Sequence, residues 1–123
     1  MARTLRDMPM MSQREERGYK IIAINGILDG DIYRENPGEP SFLDQFRERL
    51  AGSGPLALDL RHCRFSGNHS LGIFTEAYRM FQMKTVAISD DAHLVELLRI
   101  TRIGVYVDLY RTIEELPAII SSR

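Results

Sequence analysis

Asp59, His62, Cys63 and His69, side chains with the chemistry for catalysis or metal binding, share one short stretch. Zinc sites pair cysteines or histidines a few residues apart, and a lone Cys63 adjoining His62 fits none of those spacings. A Cys–His nucleophile needs a third group to orient the base, and no such group is evident. Asp59 lies between Leu58 and Leu60, so it is expected inside a strand, paired with a backbone N–H or a basic side chain. Asp90 and Asp91 read as carboxylates at a helix start, where the dipole favours them. There is no Walker-type glycine loop and no nucleophile elbow. The expectation is no catalytic residue, no metal and no cofactor, and hence no enzyme.

The same stretch holds a polar turn, Ser66-Gly67-Asn68-His69-Ser70, between a strand over Leu56–Leu60 and a helix over His69–Gln82. A helix start presents unpaired N–H groups, and with the dipole these form a ready anion site. Asn68 is the expected N-cap, a contact whose loss costs about 0.5–2 kcal/mol. One function class this allows, the alternative to a protein-binding module, is a sensor for a small ligand, nucleotide or anion held at this turn, with Arg61 or Arg64 adding charge.

The elements that position the turn follow in chain order. Met11–Glu15 reads as an edge strand turning at Arg17-Gly18, or else as a tail. Tyr19–Leu28 is apolar on both faces, as for a strand inside a covered sheet, and Gly26 marks a bulge or close approach. Asp29–Pro40 reads as a loop with isolated Ile32 and Tyr33. Ser41 caps a helix whose stripe is Leu43, Phe46 and Leu50, stopped by Gly52-Ser53-Gly54-Pro55. After the turn, Phe74, Ala77, Tyr78 and Phe81 fall at helical spacing. Thr85–Ser89 is a further strand, and Ser89, Asp90 and Asp91 signal a helix with Leu94, Leu97 and Leu98 inward. Gly104 ends that unit, and Val105–Tyr110 is the next strand. Thr112-Ile113-Glu114-Glu115 is a capping box that opens a last helix burying Ile113, Leu116 and Ile120, with Pro117 opposing its continuation. Such alternation predicts one α/β domain: a mixed, mostly parallel sheet of four or five strands with about four helices packed on it.

A chain of 123 residues fits one domain. With 16 basic against 17 acidic residues, it carries no electrostatic footprint for nucleic acid. The single cysteine fits a reducing compartment. No signal peptide and no apolar run of membrane-spanning length is visible, so a cytoplasmic location is expected.

Leu58-Asp59-Leu60, followed by Phe65 and Leu71-Gly72, resembles the core motif of STAS domains, the anti-sigma factor antagonist family. That motif runs roughly Leu-Asp-Leu, a short spacer, then Phe-Ile-Asp-Ser-Ser-Gly-Leu-Gly into a helix. Gly26-Ile27-Leu28-Asp29 resembles the family's Gly-x-Leu-Asp signature, and the later element order is also similar. The likeness spans about residues 19–120 and divides the chain into a tail or edge strand, 1–18, and a STAS-like domain, 19–123. Laid on the motif, Gly67 stands at the family's aspartate, Asn68 at the phosphorylatable serine or threonine, His69 at the next serine and Ser70 at the glycine.

The resemblance implies non-enzymatic regulation by partner switching in bacterial transcription or stress signalling. The implied partner is an anti-sigma factor, a kinase-like protein or a stress-signalling component. An amide accepts no phosphate, so the switch is expected to be absent at Asn68. The implied interaction surface comprises Ser66, Gly67, Asn68, His69, Ser70, Gly72, Thr75 and Arg79. Self-association through the N-terminal tail or the Tyr33 loop, giving a homodimer, is a further expectation.

Overall fold

The computed structural model describes residues 9–33, 38–52, 55–82 and 84–118. Strands β1 (Met10–Glu16) and β2 (Tyr19–Leu28) form an antiparallel hairpin, with registers from Glu16 opposite Tyr19 to Met10 opposite Asn25. Arg17 and Gly18 both take positive φ, the backbone of a tight hairpin whose twist suits its strands. From β2 the sheet continues in parallel through β3 (Leu56–Asp59), β5 (Thr85–Ile88) and β6 (Val107–Tyr110), in the order β1-β2-β3-β5-β6. A short β4 (Cys63–Phe65) also pairs with β2. The expected class is present, with six strands among the described residues rather than four or five.

The extra strand comes from an interruption that sequence patterning does not register. Ala23 pairs with Asp59, and Gly26 pairs with Cys63, so three steps along β2 correspond to four along its partner. One surplus residue is thrown out between β3 and β4, which is the bookkeeping of a bulge. Gly26 answers it on β2 with φ 119°, and its N–H donates to His62 O at 3.1 Å. The predicted bulge or close approach at Gly26 is therefore the point where β2 changes partner.

Among the described residues, three α-helices lie over one face: α1 (Phe42–Leu50), α2 (Gly72–Phe81) and α3 (Ala92–Thr101). Ser41 Oγ accepts from Asp44 N at 3.1 Å to start α1, and Asp91 Oδ1 accepts from His93 N at 3.0 Å to start α3. The predicted stripes converge there: Phe46, Leu50, Phe74, Leu94 and Leu98 pack on Ile22, Ile24, Leu58 and Ala87. Phe65 and Phe74 stack with ring centroids 5.8 Å apart, joining β4 to α2. Within the span read as a loop, Gly30–Tyr33 forms a 3-10 turn whose Ile32 is buried.

The opposite face is covered differently from expectation. Over the described residues the last helix does not form: Ile113–Glu115 makes one 3-10 turn, and Leu116 leaves it extended, with ψ 139°. The capping box is present, Glu115 Oε1 accepting from Thr112 N at 3.0 Å. Pro117 overrides it, because a residue preceding proline is pushed out of the helical region. Ile113 and Leu116 nevertheless reach the core as predicted, packing on Tyr19, Ile21, Ala57 and Ile88. Tyr19 Oη donates to Pro117 O at 2.8 Å, and Arg17 Nη2 donates to Leu116 O at 3.3 Å, so the hairpin holds this segment down. Ile120 lies outside the described residues. The β6 segment also starts later than predicted, since Ile103–Tyr106 is a 3-10 turn. No helix among the described residues is long and apolar enough to cross a membrane.

Candidate functional site

Phe65 is buried at the end of β4, and Ser66 N donates to Leu28 O at 2.8 Å, so the chain leaves the sheet at a fixed point. Gly67 then takes φ 78° and ψ 167°, a conformation for which a side chain is a hindrance. Asn68–Leu71 follows as a 3-10 turn, and α2 begins only at Gly72. This corrects the reading of Asn68 as N-cap and of one helix over residues 69–82. Asn68 is the first residue of the 3-10 turn, Gly67 caps that turn, and Leu71 caps α2. The donors a side-chain cap would satisfy are met by backbone instead: Ser70 N donates to Gly67 O at 3.3 Å, and Gly72 N donates to His69 O.

Ser66, Gly67, His69, Thr75 and Arg79 are exposed, and Gly72 is half-buried. Ser70 departs from the expected surface. It is 0% exposed, and its hydroxyl donates inward to Gly67 O at 2.6 Å.

Along α2, Ile73, Phe74 and Ala77 enter the core while Thr75, Tyr78 and Arg79 face outward. Glu76 is the exception to the helix's amphipathic pattern, a carboxylate only 7% exposed. Arg47 Nε of α1 donates to Glu76 Oε1 at 2.6 Å, and Arg79 Nη2 donates to the same oxygen at 2.8 Å. Burial works to raise the Glu76 pKa, but hydrogen bonds from Arg47 and then Arg79 outweigh it and hold it below the ordinary value. An acid kept ionised in this way is a clamp between helices and not a proton donor. At the far end of α2, Tyr78 and Tyr106 lie with ring centroids 4.5 Å apart, both partly exposed.

The start of α2 carries a close approach invisible in the sequence. Gly72 has ordinary helical angles, φ −57° and ψ −24°, so its conformation does not call for glycine. Space does: a Cβ there would sit 2.0 Å from Tyr33 Oη and 2.9 Å from Tyr33 Cζ. The 3-10 turn after β2 therefore lays its tyrosine directly over the first residue of α2.

Asp59 behaves as expected of a strand carboxylate. It is 5% exposed, and Arg61 and Arg14 both bind it through their guanidinium groups. Arg61, His62, Cys63 and Arg64 line one wall of an open polar crevice of about 440 Å³, with Asp90 and Asp91 on the other. Cys63 is buried within this group, and burial, with the nearby charge of Asp91, pushes its thiol up to about 12. It is a packing residue with little thiolate at neutral pH. His62 and His69 are exposed. Among the described residues, no group of three or more His, Cys, Asp or Glu could hold a metal ion. Arg14, Arg47 and Glu76 escaped sequence reasoning; for Glu76 the available signal was a carboxylate adjoining the apolar stripe of α2.

No family model matches the sequence, and no curated protein matches it. Its fold is similar to the crystal structure of an anti-sigma factor antagonist from Mycobacterium paratuberculosis, with a TM-score of 0.69 and 18% identity over 89% of this chain and 91% of that one. It is also similar to an anti-sigma-factor antagonist (STAS) domain protein from Planctomyces limnophilus, with a TM-score of 0.60 and 18% identity over 85% of this chain and 92% of the other. The chain has a STAS-like fold.

Proposed function

We propose that this chain is a regulatory protein-binding module of the partner-switching kind, resembling an anti-sigma factor antagonist, and that it works without phosphorylation at the usual position. The observation that carries this reading is the surface leading from Ser66 through the 3-10 turn to the outer face of α2. Its exposed side chains include His69, Thr75 and Arg79, on a helix whose inner side, Ile73, Phe74 and Ala77, enters the core. Asn68 stands where the resembled motif has its phosphate acceptor, and it occupies the first residue of this turn. A phosphate at such a place brings up to about two negative charges to a docking surface. An amide keeps the position permanently neutral. Ser70, the neighbouring hydroxyl, is withdrawn from a kinase by its burial and its bond to Gly67 O.

Binding of the purified chain to the anti-sigma factors encoded in the same genome tests the reading. The wild type is expected to bind one of them, and Thr75→Arg to weaken that binding at least tenfold while the circular dichroism spectrum stays unchanged. Incubation with the cognate switch kinases, followed by phosphosite mapping, is expected to leave the turn unmodified; stoichiometric phosphate on Ser66 or Ser70 overturns the phosphorylation-independent part. Heat on titration with nucleotides, in the absence of any protein partner, favours a ligand sensor instead.

A further inference from the structure

We propose that Tyr33 is a positioning and contact residue of the partner-binding surface, carried to it by a seat that Gly72 leaves open. This rests on the reading of α2 and its preceding turn as the docking face, and extends that face onto the turn after β2. Three observations support it. Ile32, next in chain to Tyr33, is buried in the core at 2% exposure, so the backbone that presents the tyrosine is anchored. The phenol end then lies over Gly72 so closely that a methyl group there would meet Oη at 2.0 Å. Yet Tyr33 remains 49% exposed, so packing on α2 uses only part of the ring.

Tyrosine is enriched at interfaces because it joins a large apolar ring to a polar tip, and Tyr33 presents such a ring, held in place, beside the docking helix. Gly72 is the second half of the device. Its angles suit any residue, and glycine is an unfavourable choice for a helix start that lacks a side-chain cap. The absent side chain is explained by the tyrosine that occupies its space. The outward face then runs continuously from Tyr33 across Gly72 to Thr75 and Arg79, and the partner that contacts α2 contacts Tyr33 with it.

Affinity for the anti-sigma factor that the wild type binds, measured with Tyr33→Ala, Tyr33→Phe and Gly72→Ala, tests the inference. Gly72→Ala is expected to push the flexible phenol off its seat without unfolding the chain. Both Gly72→Ala and Tyr33→Ala then lose at least tenfold in affinity, with melting temperatures close to wild type. Tyr33→Phe, which keeps the ring, retains binding within about threefold. Hydrogen exchange at residues 29–33 is expected to quicken in Gly72→Ala. Wild-type affinity in both Ala variants overturns the role of Tyr33 and leaves the docking role of α2 intact. Loss of affinity only in step with loss of stability also overturns it. No binding by the wild type to any member of the panel overturns both readings together.

Discussion

Arg61 grips the carboxylate of Asp59 from two sides, with Nε donating to Oδ1 at 2.9 Å and Nη2 donating to Oδ2 at 2.8 Å. The backbone N–H of Arg61 adds a third bond at 3.2 Å, and Arg14 reaches Oδ2 at 3.3 Å from the edge strand. Burial by itself would raise the Asp59 pKa, but these bonds and the two positive charges prevail and hold it below the ordinary value. The cluster ties β1 to the break between β3 and β4.

Asp59→Asn is expected to lower stability by about 1–2 kcal/mol at pH 7, measured by urea unfolding; the figure is kept modest because both arginines are partly exposed and water takes over their hydration. The pH dependence has a definite sign. A folded-state pKa below the unfolded value of about 3.9 gives stability that is fully present above that value and is lost as pH falls through the folded pKa. The deficit of Asp59→Asn should therefore shrink below about pH 4. A deficit that stays constant into acid would show that the cluster acts by packing and not by charge.

Cys63 offers a chemical check on the core. With its thiol pushed up to about 12, alkylation of the native protein by iodoacetamide at pH 8 is expected to run roughly a thousandfold or more slower than that of a free cysteine. In denaturant the reaction should recover the ordinary rate. Rapid native labelling would mean that the start of β4 opens readily.

Gly26 holds the change of partner on β2 with φ 119°, beyond the left-handed region that other residues tolerate. Gly26→Ala is expected to cost about 1–3 kcal/mol by thermal or denaturant unfolding. A neutral result would place the break between β3 and β4 elsewhere.

Gly72 and Tyr33 should show coupled stabilities. In the Tyr33→Ala background, Gly72→Ala removes only the helix penalty of glycine and should stabilise by up to about 1 kcal/mol. In the wild type that gain is offset by displacement of the phenol, so the same substitution should be nearly neutral or unfavourable. Equal effects in both backgrounds would deny the contact. Calorimetric unfolding of the four proteins in the cycle decides it.

Local rules were enough for much of this molecule. Ser41 and Asp91 cap their helices as their types demand, and the stripes of α1 and α3 meet the sheet where their spacing aims them. Alternation of strands with helical segments leads to a largely parallel sheet because crossover connections allow little else. The turn over residues 66–70 was legible in position, since a polar turn between an apolar run and an amphipathic helix is a local pattern.

Other details were decided by what the folded backbone brings against each side chain, often from far along the chain. Asn68 is a cap by type alone, but Gly67 takes the cap position and its carbonyl accepts from Ser70 N. The capping box at Thr112 promised a helix that Pro117 stops after one turn, and the segment is held to the sheet by Arg17 and Tyr19, nearly the whole chain away. Glu76 is tolerable inside the fold only because Arg47 arrives from another helix. The seat of Tyr33 over Gly72 exists only once the turn after β2 is packed on α2. Periodicity and capping concern a residue and its near neighbours, so the amino-acid sequence by itself determined the class and order of the main strands and helices, but not β4 or the extended path after Ile113–Glu115. Which side chains are buried, paired or left facing outward depends on what the folded chain brings against them, and that the tertiary structure alone decided.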